Sequence, residues 1–145
     1  MASERLAAIG FDYLGVLATL SPGDFDGFPH VDHRVLDLVG RLRSRGHKIG
    51  CLSNLAGSWA QQMREEGTPN HFDAVLLSGE TGHMKPHREA FAGLAAALGE
   101  DLSNLIFIDD SPSSLVGVDA FGVTPIRYIG YEQLVRVLAD LGIET

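Results

Sequence analysis

Leu6-Ala7-Ala8-Ile9-Gly10-Phe11-Asp12-Tyr13-Leu14-Gly15-Val16-Leu17 is the stretch that decides the fold. Residues 6–11 form a short apolar run that halts on a carboxylate. A run this short, with no polar alternation, suits a strand buried on both faces, the kind found in parallel sheets. The same figure recurs downstream. A strand over 47–52 halts at Ser53, one over 72–77 at Ser78, one over 105–108 at Asp109 and Asp110, and a fifth runs over 124–128. Helical patterns fill the gaps. Residues 33–45 place Val35, Leu36, Val39 and Leu42 on one face and stop at Gly46; 55–66 close at Gly67; the Ala-rich 86–98 has Pro86 in its first turn; 113–121 stop at Gly122; and 131–141 form the last helix. Residues 18–30, with Pro22, Gly23, Gly27 and Pro29, read as irregular.

Alternating strands and helices predict an α/β three-layer sandwich around a parallel sheet covered on both faces. In open sheets of this kind, ligands bind outside the carboxyl ends of the strands. Asp12, Ser53, Asp109 and Asp110 all fall there.

The chain has 145 residues, 45% of them hydrophobic and 21% charged, as in an ordinary globular domain. No repeat, low-complexity segment or linker divides it, so 1–145 reads as one core domain. The formal net charge of −8 argues against a nucleic-acid or anionic-membrane surface. It also requires a local cation wherever an anionic substrate binds. The single cysteine, Cys51, excludes an internal disulfide and reads as an inert core residue in a reducing compartment. With no signal-peptide pattern and no membrane-spanning stretch, the expected location is cytoplasmic.

Four segments carry the chemistry: Phe11-Asp12-Tyr13-Leu14-Gly15, Cys51-Leu52-Ser53-Asn54, Gly82-His83-Met84-Lys85-Pro86, and Phe107-Ile108-Asp109-Asp110-Ser111. In order and spacing they resemble the four motifs of the haloacid dehalogenase (HAD) superfamily, over nearly the whole chain. Leu77-Ser78-Gly79-Glu80 leading into Lys85-Pro86 looks like its dehalogenase/epoxide-hydrolase-like branch. The resemblance implies a five-stranded parallel, Rossmann-like sheet with the first strand central. It implies phosphoryl transfer with Asp12 as nucleophile and Lys85 neutralising charge. Ser53, Asn54 and Lys85 would bind phosphate. Mg²⁺ would be held by Asp12, Asp110 and the backbone carbonyl of Leu14. Physical chemistry fits this set: a carboxylate can form an acyl-phosphate, and Mg²⁺ takes oxygen ligands. Asp109 is expected to hold Lys85 or a backbone amide rather than metal. Ser53 also suits a helix N-cap.

Two positions depart from the pattern. Leu14 stands where family phosphatases usually carry an acid/base Asp, a loss of about 10²–10⁴-fold in rate for such a group. Ser114 stands where the fourth motif usually has Asp or Asn, which predicts weaker Mg²⁺ binding. There is also no room for a cap domain between Asp12 and the second strand, only a flap over 18–32. The substrate is then a phosphorylated small molecule or macromolecule, with a second copy of the chain as a candidate lid. His83, Asp24 and Asp26 are candidates for the missing acid. His30 and His33, or His83 and His87, make poor zinc sites on ligand count. Trp59 and Met63 read as helix-face packing, and Tyr13, Phe25 and Phe28 as site lining or core closure. The reading that follows is a slow Mg²⁺-dependent phosphomonoester hydrolase. The alternatives are an impaired phosphate- or partner-binding regulatory protein, and dehalogenase- or epoxide-hydrolase-like chemistry.

Overall fold

The computed structural model describes residues 6–19 and 29–145. The first apolar run forms β1 (Ala8–Phe11), buried along its whole length. After it come β2 (Ala18–Thr19), β3 (His30–Val31), α1 (His33–Ser44), β4 (Ile49–Ser53), α2 (Gly57–Glu65) and β5 (Ala74–Leu77). Then follow α3 (Ser78–Thr81), α4 (Arg88–Ala97), β6 (Leu105–Asp109), α5 (Pro112–Leu115), β7 (Thr124–Arg127) and α6 (Tyr131–Asp140). Five strands form one parallel sheet in the order β5-β4-β1-β6-β7, which puts β1 at the centre as expected. Pro125 is tolerated because β7 is an edge strand, where a missing N–H breaks no central ladder.

Helices cover both faces. On one side Val35, Leu38, Val39 and Leu42 of α1, Met63 of α2 and Leu134 of α6 pack on Ile9, Phe11, Ile49 and Ile108. On the other, Phe91 and Leu94 of α4 pack on Leu52, Leu105 and Phe107. The helix α4 sits close because the strands beneath it carry glycine. A Cβ on Gly10 would lie 2.7 Å from the Phe107 ring, and one on Gly50 would lie 2.5 Å from Leu94. Such contacts tolerate no added methyl without movement. Cys51 is buried in the first core, as are Met63 and, in part, Trp59.

Several predicted elements need correction. The helix expected over 113–121 is broken in two. Val116 is extended and Gly117 takes a left-handed φ of 76°, which separates α5 from a 3-10 turn at Val118–Phe121. The helix expected from 55 begins only at Gly57, and the one expected from 86 only at Arg88, because Ala56 and His87 are extended. Ser78 does not simply end a strand but opens the single turn α3. The stretch read as irregular has ordered ends, since β2 and β3 pair antiparallel with Ala18 opposite Val31. Asp24, Phe25, Asp26 and Phe28 lie outside the described residues. No helix among the described residues is long and apolar enough to cross a membrane.

Candidate active site

Three central strands end side by side. Phe11 pairs with Cys51 on one side and with Ile108 on the other, so Asp12 leaves the sheet beside the ends of β4 and β6. Its backbone N–H donates to the Ile108 carbonyl at 2.9 Å, which extends the ladder one step past the strand. Lys85 comes in from the loop before α4, its side chain 2% exposed. Its Nζ donates to Asp12 Oδ1 at 2.8 Å and to Asp109 Oδ2 at 2.6 Å. The ammonium also lies 5.0 Å from the centre of the Phe107 ring. Asp109 is fully buried, and its Oδ1 accepts from the Ser111 backbone N–H at 2.9 Å. Asp109 thus holds both groups that its position suggested, Lys85 and a backbone amide.

Asp110 faces outward. Carboxylate oxygens of Asp12, Asp109 and Asp110 come within 4.8 Å of one another. Among the described residues one ammonium serves this group of carboxylates, and the protonation of Asp12 responds. Burial, aided by Asp109 and Asp110 and opposed by Lys85, pushes its carboxyl up to about 7. Burial and the neighbouring Asp109 raise Asp110 as well. The site is therefore short of positive charge, and its unspent donors are carboxylate oxygens. Both properties suit a hard divalent cation such as Mg²⁺.

The turn after Asp12 leaves room for this. The Tyr13 carbonyl accepts from the N–H groups of Leu17 and Ala18, both at 2.9 Å, while Gly15 N–H donates to Ala18 at 2.7 Å. Among the described residues the Leu14 carbonyl accepts no backbone hydrogen bond. The Leu14 side chain is half-buried against the core. Tyr13 closes the core rather than lining the opening, and its hydroxyl donates to Glu66 Oε2 at 3.3 Å.

Ser53 is buried at the end of β4. It is not the helix cap, because α2 starts four residues later with Ala56 before it. Asn54 is turned toward the lysine loop. Its Oδ1 accepts from the Lys85 N–H at 2.8 Å and its Nδ2 donates to the Lys85 carbonyl at 3.2 Å. Ser114 is half-buried in α5. His83 and His87 line a shallow depression of about 320 Å³ with Gly82, Met84 and Glu89, and His30 and His33 line another with His71 and Glu66. No histidine joins the carboxylate group.

Sequence reasoning passed over Gly15, which carries a φ of 97° and lies directly under the Asp110 carboxylate. A glycine three residues after a strand-end Asp was the available signal. It also passed over Phe107, whose apolar side chain gave no hint of a place beneath a lysine.

Comparison with known proteins agrees with this architecture. A family of haloacid dehalogenase-like hydrolases matches residues 22–117. Phosphoglycolate phosphatases of Salmonella paratyphi A and Salmonella typhi are each 26% identical over 96 residues, which is 66% of this chain but 36% of theirs. The chain thus matches little more than a third of the length of those relatives. An uncharacterized protein from Corynebacterium glutamicum ATCC 13032 Kitasato superposes with a TM-score of 0.76 at 28% identity, covering 97% of this chain and 98% of its own. A HAD family enzyme of Bacteroides thetaiotaomicron, in complex with magnesium and inorganic phosphate, gives a TM-score of 0.75 at 16% identity, covering 90% and 99%. At that identity the likeness is one of fold.

Proposed function

Because the chain belongs to the haloacid dehalogenase-like hydrolases, we propose that it is a slow, Mg²⁺-dependent phosphomonoester hydrolase acting through an aspartyl-phosphate on Asp12. The observation that carries this reading is the buried Lys85 ammonium held between Asp12 and Asp109, with Asp110 alongside. A phosphate binder has no need of a carboxylate poised in this way; a nucleophile does.

Asp12, Asp110 and the Leu14 backbone carbonyl would hold the ion. When bound, Mg²⁺ supplies charge neutralisation at the phosphoryl oxygens. An Asp12 carboxylate oxygen attacks phosphorus opposite the ester oxygen. The ester P–O bond breaks with its electron pair on the leaving oxygen, which takes a proton from solvent because Leu14 has none to give. Lys85 fixes the Asp12 carboxylate and balances charge as it builds. The Ser53 hydroxyl and the Asn54 backbone N–H hydrogen-bond phosphoryl oxygens. Water then cleaves the acyl-phosphate, releasing inorganic phosphate and restoring Asp12.

The chain works as one core domain, with too few residues between Asp12 and β4 to hold a cap domain. Such a domain favours phosphorylated substrates of varied size in the cytoplasm, and a second copy of the chain is a candidate lid. A strict monomer by light scattering at working concentration removes the lid. Phosphoglycolate, named by the curated relatives, is the first small substrate to try.

The packing of the Leu14 side chain against the core favours a second reading, a regulatory protein that binds phosphate or a phosphorylated partner and turns over little. Dehalogenase- or epoxide-hydrolase-like chemistry fits Leu14 but leaves Asp110 without a use. Hydrolysis of an aryl phosphate with Mg²⁺ decides among them, since an aryl leaving group scarcely needs protonation. Turnover by wild type and none by Asp12→Asn supports the hydrolase. Silence with retained binding of phosphate and Mg²⁺ supports the regulatory protein.

A further inference from the structure

Asn54 follows the expected phosphate-binding serine, yet its side chain is committed elsewhere. Both ends of the amide engage the peptide groups on either side of the Lys85 Cα, 31 residues away, at 2.8 and 3.2 Å. We infer that the Asn54 side chain is a positioning residue that sets the reach of Lys85, and that it is not itself a phosphate ligand; this rests on the phosphoryl-transfer reading above.

The geometry explains why such a clamp is needed. A lysine side chain has four rotatable bonds and loses substantial freedom when fixed. Here its ammonium must land between two carboxylates, 2.8 Å from one and 2.6 Å from the other. The Phe107 ring supports it from one side, but a ring face sets distance rather than register. The loop that carries Lys85 has no strand partner at that point. A two-bond grip on its backbone ties the lysine to the end of β4 and so to the sheet that carries Asp12. Although Asn54 is exposed, its amide spends a donor and its acceptor on this grip. Displacements near 1 Å at reacting groups cost about 10²-fold in rate, so a loosened loop has a kinetic signature even where the fold is intact.

A direct phosphate ligand and a positioning residue differ in how they combine with Lys85. If Asn54 acts only through Lys85, removing it matters only while Lys85 is present. The test is a double-mutant cycle of Asn54→Ala and Lys85→Ala, read as kcat and KM for an aryl phosphate with Mg²⁺. Asn54→Ala should lower kcat by roughly 10- to 100-fold with KM little changed. The double variant should match Lys85→Ala within about twofold. A double variant slower than Lys85→Ala by the full Asn54→Ala factor overturns the inference, as does an Asn54→Ala enzyme with wild-type kcat. Asn54→Gln, which keeps the amide but shifts it by one methylene, guards against loss of folding and should behave like Asn54→Ala.

A second measurement needs no turnover. The Lys85 ammonium protons, buried between carboxylates, should give a slowly exchanging NMR signal in wild type that is lost in Asn54→Ala. Retention of that signal overturns the inference even in a protein with no phosphatase activity. Its loss in a protein inactive on every phosphate ester upholds the clamp while the hydrolase reading fails.

Discussion

The carboxylate of Asp110 rests on the bare Cα of Gly15, in a volume where any Cβ would sit 2.3 Å from Oδ2 and 2.5 Å from Oδ1. Two constraints meet at this glycine, the lack of space and the left-handed φ of 97°. Gly15→Ala should therefore cost about 1–2 kcal/mol from backbone conformation alone, read as a lowered urea midpoint. It should also push Asp110 away from Asp12 and weaken Mg²⁺ binding, by calorimetry, at least about tenfold, the effect of about 1.4 kcal/mol. Unchanged affinity would show that Asp110 is not a metal ligand.

Among the described residues Lys85 is the one cation paired with the carboxylate group, so its removal leaves like charges buried together. Lys85→Met keeps most of the side-chain volume and should destabilise the metal-free protein by about 3–5 kcal/mol. Chemical denaturation with and without Mg²⁺ would measure this. Because the ion replaces part of the lost charge, the deficit should shrink when Mg²⁺ is added.

The proton balance at Asp12 predicts a pH trend. Its carboxyl sits at about 7 in the folded protein against an ordinary 3.8, chiefly because it is buried. The folded state then binds this proton more tightly than the unfolded chain does. The resulting stability is complete below 3.8 and is lost as pH rises through about 7. Metal-free protein should become less stable across that window, and Asp12→Asn should flatten the slope. Mg²⁺ should stabilise more strongly at the high end, where the carboxylate is ionised.

Leu14→Asp would restore an acid/base at the position the family pattern reserves for one. Alkyl phosphates, whose leaving groups need a proton, should gain up to about 10²-fold, and aryl phosphates much less. The side chain is half-buried against the core, so the gain should come with a stability loss of about 1 kcal/mol or more. No gain on either substrate class would mean that the new carboxylate does not reach the leaving group.

Leu94 fills the space over Gly10 and Gly50. Leu94→Ala should cost about 2–5 kcal/mol in denaturant unfolding. Lys85 lies on the loop leading into the same helix, so activity should fall further than the change in folded fraction explains.

What the chain reveals before folding follows from its physics. Strand ends are legible because a buried parallel strand reads as an apolar run and its first polar residue marks the edge; Asp12, Ser53, and Asp109 with Asp110 lie at such ends. The pairing of Asn54 with Lys85 was not legible, because an amide that grips backbone leaves no side-chain partner to recognise. The Asp109-Asp110 pair was legible only in part. Strand alternation sends one inward and one outward, and the inward one proved to be the anchor of Lys85. The break in the helix after Pro112 was missed because a lone glycine is compatible with a helix, and only the fold commits Gly117 to a left-handed turn.

The place of β1 between β4 and β6 has a consequence for synthesis on the ribosome. Nearly one hundred residues separate β1 from β6 in the sequence, so the growing chain can zip β1 to β4 long before its other edge has a mate. Throughout that interval a short, wholly apolar strand presents unpaired N–H and C=O groups on one side. Overproduction, which crowds nascent chains together, should find this exposed edge first, and slowed translation or a lower temperature should favour soluble protein.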